Sequence, residues 1–278
     1  MFSARVASVF CCVGFLLGVP AIAARAECTG HPNAIGTSRV ITVEPSAYPK
    51  VGKAQYSETL PLQRREVVFT FNGGPEPPYT DRILGVLADE CVRATFFISG
   101  SNAQDTPDLV RRAFVEGHVI GVFGFSDEPL DSIPFESATL DIEKGIAAIK
   151  EALGDAGYVS PYFRAPELAL TSQLLRHIIK DGFMVWSVDT DSEDWKDPTE
   201  EQLVRQTVER LEKVGKGILQ MHDKPVTARA LPSLLAELKR RGFRIVHVAG
   251  TPYSAPTEKT RSGNEEERVS QTKARGKH

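Results

Sequence analysis

Cysteine is scarce: the chain of 278 residues has four, and Cys11 and Cys12 sit inside an apolar N-terminal run. An excess of basic residues is also missing. Lys and Arg number 33 against 36 Asp and Glu, a formal net charge of -3, so no broad positive field draws in nucleic acid or an anionic membrane. Beyond the N-terminal run no apolar stretch approaches the roughly 20 residues of a membrane span, so no membrane contact is expected past that segment. No internal repeat or low-complexity block interrupts the body of the chain. A single domain over residues 66–250 is the simplest organisation.

What is present starts with MFSARVASVFCCVGFLLGVPAIAARA, one early Arg, an apolar run and then small residues. This pattern predicts a secretory signal peptide over residues 1–26, cleaved before Glu27, and hence a secreted or periplasmic location. An uncleaved anchor is the alternative; a lipoprotein is disfavoured because Glu27 precedes Cys28 where a small residue is needed. Removal of the peptide leaves Cys28 and Cys91, which an oxidising compartment favours as a disulfide over two buried thiols. Closing so long a loop contributes about 4 kcal/mol in the chain-entropy model and ties the 27–65 segment, read as an extended arm, to the body. Residues 254–278 are polar and mixed in charge, and are expected to be a disordered tail.

Between the arm and the tail, short apolar runs alternate with amphipathic stretches. VVFTF (67–71), ATFFI (94–98), VIGVF (119–123), YFR (162–164), FMVWSVD (183–189), GILQMH (217–222) and FRIVHV (243–248) read as strands. The segments between them carry helical periodicity, with Gly117, Gly182, Gly215 and Gly242 placed as left-handed caps. About seven parallel strands joined by six helices, in right-handed crossovers, predict an α/β fold closed into a distorted (β/α) barrel.

In such barrels functional groups gather where strands end. Those positions hold Asn72-Gly73, Phe123 to Asp127, Arg164, Asp189 to Asp194, and His222-Asp223. His222 is placed as a general acid, with Asp194 or Asp223 fixing its tautomer; a structural His-Asp cap is the bland alternative. Asp189, Asp191, Glu193 and Asp194 could be only a solvated acidic loop, although Trp195 suits a wall against a sugar face. Arg164, bracketed by Phe163 and Pro166, is placed to meet a carboxylate or an amide oxygen.

Over roughly residues 64–250 these segments resemble the polysaccharide deacetylase family, which includes the nodulation chitooligosaccharide deacetylases. The family's TFDDGP reads TFNGGP here, its Arg-Xaa-Pro turn reads FRAPE (163–167), its Asp-Trp motif reads WSVDTDSEDW (186–195), and its closing His-Asp reads ILQMHD (218–223). The resemblance implies metal-dependent hydrolysis of the N-acetyl group of GlcNAc-containing glycans. A divalent ion, usually zinc, would be held by the second Asp of the first motif and two His of the second, with the first Asp as base.

Carried over, Asn72 occupies the base position, while Gly73, Phe123 and Asp127 occupy the metal-ligand positions. Arg164, which supports the base, Asp194, which tunes the acid, and His222, the acid, are retained. Asn72 is a poor base, and Gly73 and Phe123 have no donor atoms, whereas a stable zinc site wants about three protein ligands. No cofactor is therefore expected, and the implied hydrolysis is absent or weak. A glycan groove lined by Trp195, Phe123 and Pro166 remains, for a chitooligosaccharide or peptidoglycan-like partner. Oligomeric state is not legible.

Two other readings stay open. One is an active deacetylase with a rebuilt site, with zinc or another divalent metal held among His118, Asp127, Glu128, His222 and Asp223 and with Asp81 or Glu76 as base. His118, however, begins a strand, at the end of the barrel away from its mouth. The other is a structural or interaction scaffold.

Overall fold

The structure, a computed structural model, describes residues 30–254. The signal segment, Cys28 and the tail from residue 255 lie outside the described residues, and with them the expected Cys28–Cys91 pairing. The seven expected strands are all present: β3 (Glu66–Asn72), β4 (Thr95–Ser99), β5 (Val119–Gly124), β6 (Tyr162–Phe163), β7 (Met184–Trp186), β9 (Gly217–His222) and β10 (Arg244–Val248). The six expected helices are α1 (Tyr79–Asp89), α3 (Pro107–Val115), α4 (Phe135–Leu153), α5 (Ser172–Lys180), α6 (Glu200–Val214) and α7 (Pro225–Arg240). All four cap glycines have positive φ.

Every strand pairing is parallel. β3 pairs with β4, β5 follows β4, then β6 and β7. Past β7 the chain bends and resumes as β8 (Thr190–Asp191), which pairs with β9, and β9 returns to β3. The circuit closes through that bend, so the barrel is distorted.

The arm is extended, as its composition suggests, but it is also paired. β1 (Thr37–Ile41) lies along β10 and β2 (Lys50–Val51) along β7. Asp189 pins it: its carboxylate accepts from the backbone N–H of Lys53 at 2.9 Å, from Thr59 Oγ1 at 2.5 Å and from the N–H of Ile218 at 2.8 Å. Asp189 therefore belongs to the framework and not to an acidic surface loop.

Strand parity sorts the side chains. Val67, Phe69 and Phe71 pack with helix residues such as Ile83, Leu231 and Leu235. Val68 joins Phe97, Phe123, Tyr162, Trp186 and Ile218 in a second, interior cluster. Asn72 shares parity with Val68, and His222 with Ile218, so the polar strand ends lie on the inward face.

One helix is held unusually close. A Cβ at Gly145 of α4 would come 2.4 Å from the backbone carbonyl of Gly124, and one at Gly100 would come 2.8 Å from Gly145 Cα. Gly100 opens α2 (Gly100–Asp105), a helix the sequence pattern does not announce. Gly145→Ala is thus expected to cost about 1–3 kcal/mol by overpacking, read as a lower urea midpoint. An unchanged midpoint would mean that α4 can retreat freely.

Candidate active-site cleft

At the strand ends a cleft of about 610 Å³ opens, lined by Asn72, Gly73, Phe123, Asp127, Pro166, Trp195, His222 and Asp223 among others. This volume is in the range of ligand sites. Asn72, Gly73, Phe123, Asp127, Pro166, Asp191, Trp195, His222 and Asp223 thus meet in one place, with Arg164 and Asp194 fully buried beneath it, whereas Asp189 and Glu193 do not line it.

His222 donates through Nδ1 to Asp194 Oδ1 at 2.7 Å. The same carboxylate accepts the His222 backbone N–H at 2.7 Å and Thr227 Oγ1 at 2.6 Å. Asp194, not Asp223, therefore fixes the tautomer and leaves Nε2 for the cleft. This is the geometry of an imidazole positioned to give or take a proton at Nε2.

Arg164 donates through Nη1 to Thr70 Oγ1 at 2.7 Å and to Asn72 Oδ1 at 2.8 Å, and through Nη2 to the Ser187 carbonyl at 3.2 Å. Its guanidinium carbon lies 4.3 Å from the Phe97 ring centroid. The amide oxygen, and no carboxylate, is what it meets. Burial pulls its pKa down to about 9, so it remains a cation at pH 7. Because Arg164 can only donate, Asn72 must present Oδ1 to it, and the NH₂ end of the amide is left over. Asn72 is thus a donor where a base would have to accept a proton.

The metal-ligand positions converge without supplying a site. A Cβ at Gly73 would lie 3.8 Å from Asp127 Oδ1 and 3.9 Å from Phe123 Cε1. Of the three, only Asp127 carries a donor atom, and burial pushes its carboxyl above the usual range. Among the described residues no group of three or more His, Cys, Asp or Glu could hold a metal ion. The residues present do not fit zinc.

The donors offered for a rebuilt site do not assemble. His118 is buried, accepts the Ala94 N–H at Nδ1 and packs edge-on to Phe96; burial holds its pKa down at about 3. Asp81 pairs with Arg112 at 3.0 Å, and neither Asp81 nor Glu128 lines the cleft. Glu76 does, 4.0 Å from Lys224.

The remaining acids of the 189–194 loop are also partnered. Asp191 accepts from the Glu193 N–H and from Trp195 Nε1 at 3.3 Å, and Glu193 pairs with Arg210 and Lys196. Trp195 stands 52% exposed at the rim.

Sequence reasoning missed Gln220, Asn102 and Lys224 as cleft residues. Gln220 was legible, two positions before His222 on one strand and so on the same face. Asn102, which donates to the Gly73 carbonyl at 2.6 Å, sits on the unannounced α2.

Asp223 is 2% exposed and accepts from Thr80 Oγ1 at 2.5 Å. Its Oδ2 would lie 2.1 Å from a Cβ at Gly74, hence the glycine. Burial raises its pKa to about 7. A carboxyl raised from its ordinary value contributes stability that is full below about pH 4 and lost as pH rises through about 7. Asp223→Asn should therefore stabilise the fold relative to the parent at pH 8, by on the order of 3 kcal/mol, with the gap closing toward pH 4.5. Urea midpoints at both pH values read it, and a pH-independent gap would contradict it.

The polysaccharide deacetylase profile matches residues 60–186. A Bacillus cereus peptidoglycan-N-acetylglucosamine deacetylase is 32% identical over 203 residues, 70% of this chain and 71% of that protein. A second from the same organism is 31% identical over 205 residues, covering 68% and 89%. Among solved structures, a Bdellovibrio bacteriovorus peptidoglycan deacetylase superposes with TM-score 0.71 at 26% identity, over 81% of this chain and 63% of that one. A Bacillus anthracis protein described as a CE4 family pseudoenzyme gives 0.60 at 20% identity, over 66% and 64%. With the barrel, the dyad and the Arg turn in place, these likenesses establish that the chain belongs to the polysaccharide deacetylase family.

Proposed function

We propose that this is an exported deacetylase-family protein that has lost metal-dependent hydrolysis and keeps a glycan-binding cleft. The observation that carries the reading is the convergence of Gly73, Phe123 and Asp127 on one spot with a single carboxylate among them. A bound metal lowers water's pKa from roughly 15.7 to about 7, and a positioned base adds about 10²- to 10⁴-fold. Neither contribution is available from Asn72, Gly73 and Phe123. The His222–Asp194 dyad does not replace the metal, since an imidazole can move a proton but neither polarises an acetyl carbonyl nor lowers the pKa of the attacking water.

The cleft retains features that suit a sugar: Trp195 at the rim, Phe123 and Pro166 in the wall. Relatives named as peptidoglycan-N-acetylglucosamine deacetylases make a GlcNAc-type glycan the natural class. Acetate release and Trp fluorescence with chitooligosaccharides and peptidoglycan fragments test both halves. No acetate above background together with saturable binding is expected. Acetate release abolished by a chelator would favour a rebuilt enzyme, and absence of any binding would favour a scaffold.

A further inference from the structure

The balance of hydrogen-bonding groups in the cleft is uneven. Carboxylates from Glu76, Asp127, Glu167 and Asp191 line it, together with the carboxyl of Asp223, whose pKa burial raises to about 7. Against them stand Lys224, the imidazole of His222 and the amide NH₂ of Asn72. Two buried acceptors on its wall, Gln220 Oε1 and Asp223 Oδ1, have no hydrogen-bond partner among the described residues, and their residues are only 7% and 2% exposed. Buried acceptors left unpaired are costly, so a ligand that brings donors is favoured. Among the described residues Asp127 has no ion-pair partner, the nearby Lys224 standing 4.0 Å from Glu76, and Gly73 sets no side chain between Asp127 and the cleft, where a Cβ would lie 3.8 Å from its Oδ1.

An acetamido group brings one N–H donor, one acceptor and no charge, whereas an ammonium brings three donors, no acceptor and a positive charge. The second matches an acceptor-rich wall whose neutralising cation has no ligands. We propose that the cleft recognises the ammonium of a deacetylated amino sugar, glucosamine within a glycan, in preference to its N-acetylated form, with Asp127 as the charge partner and Trp195 against the sugar face. The proposal rests on the glycan-binding reading above and names its ligand.

The test is titration of the purified protein with tetraglucosamine and with its tetra-N-acetylated counterpart at pH 6.5 and low salt, read by Trp fluorescence and calorimetry. Tetraglucosamine is expected to bind about tenfold tighter, of the order of a partly desolvated charge pair. The preference should shrink to about twofold or less in Asp127→Asn and in high salt, and persist in Asp81→Asn, a charge change outside the cleft.

Equal or tighter binding of the acetylated tetramer would overturn the preference and leave the glycan reading standing. Binding of neither would overturn both. Tetralysine binding as tightly as tetraglucosamine would overturn recognition of the sugar. A preference that survives Asp127→Asn would overturn the role of that carboxylate.

Discussion

The variant combining Asn72→Asp, Gly73→Asp, Phe123→His and Asp127→His is expected to bind a single zinc ion and to release acetate from GlcNAc oligomers, and the parent is expected to do neither. The geometry favours recovery. A Cβ at Gly73 meets nothing closer than Asp127 Oδ1 at 3.8 Å and Phe123 Cε1 at 3.9 Å, so three new side chains would reach a common point with room for zinc–ligand bonds of about 2.0–2.2 Å.

His222 is already held by Asp194, and Arg164 already touches residue 72. Against this, Gly73 has φ of +77°, and an L-residue there costs about 1–2 kcal/mol. Zinc linkage outweighs that cost: free zinc at a thousandfold its Kd stabilises by about 4 kcal/mol. A zinc-dependent rise in the thermal midpoint, alongside acetate release, is the expected readout. A folded variant that ignores zinc would mean that Phe123 and Asp127 are not the ligand positions.

Arg164 offers the second large effect, with opposite signs for two substitutions. Arg164→Ala removes a fully buried side chain, empties its volume and strands Asn72 Oδ1, Thr70 Oγ1 and the Ser187 carbonyl. A loss of about 4 kcal/mol is expected. Asn72→Asp should do the reverse. Placing a carboxylate in a buried position is ordinarily unfavourable, but here it would meet a guanidinium 2.8 Å away that now has only neutral acceptors. A charge-assisted bond replaces a neutral one, and a gain of about 1–2 kcal/mol follows. Urea midpoints at unchanged slope measure both. Destabilisation by Asn72→Asp would show that Arg164 already has its charge balanced.

The barrel was legible because its strands are buried on both faces and its helices are amphipathic, so period and length separate them. The site was legible because parity places Asn72, Phe123 and His222 on the inward face of strands whose ends were already marked by turns. What escaped reading is non-local. β2 spans only Lys50–Val51 and exists because the edge of β7 offers partners, which no local pattern encodes.

Asp189 and Asp194 are alike in sequence context, yet one anchors the arm and the other orients His222. The difference comes from Thr59, Lys53 and Thr227, all far away in the chain. α2 hides for a related reason: GSNAQD has no apolar periodicity, and its position depends on Gly100 meeting Gly145.

The central claim, that the cleft has given up metal chemistry while keeping the family's framework, is tested most directly by metal content. The protein purified in zinc-containing buffer, then dialysed against buffer free of chelator, is predicted to retain zinc far below one ion per chain, with no zinc-dependent shift in thermal midpoint. A single tightly held zinc per chain, removable only by chelator and lost on Asp127→Ala, would contradict it.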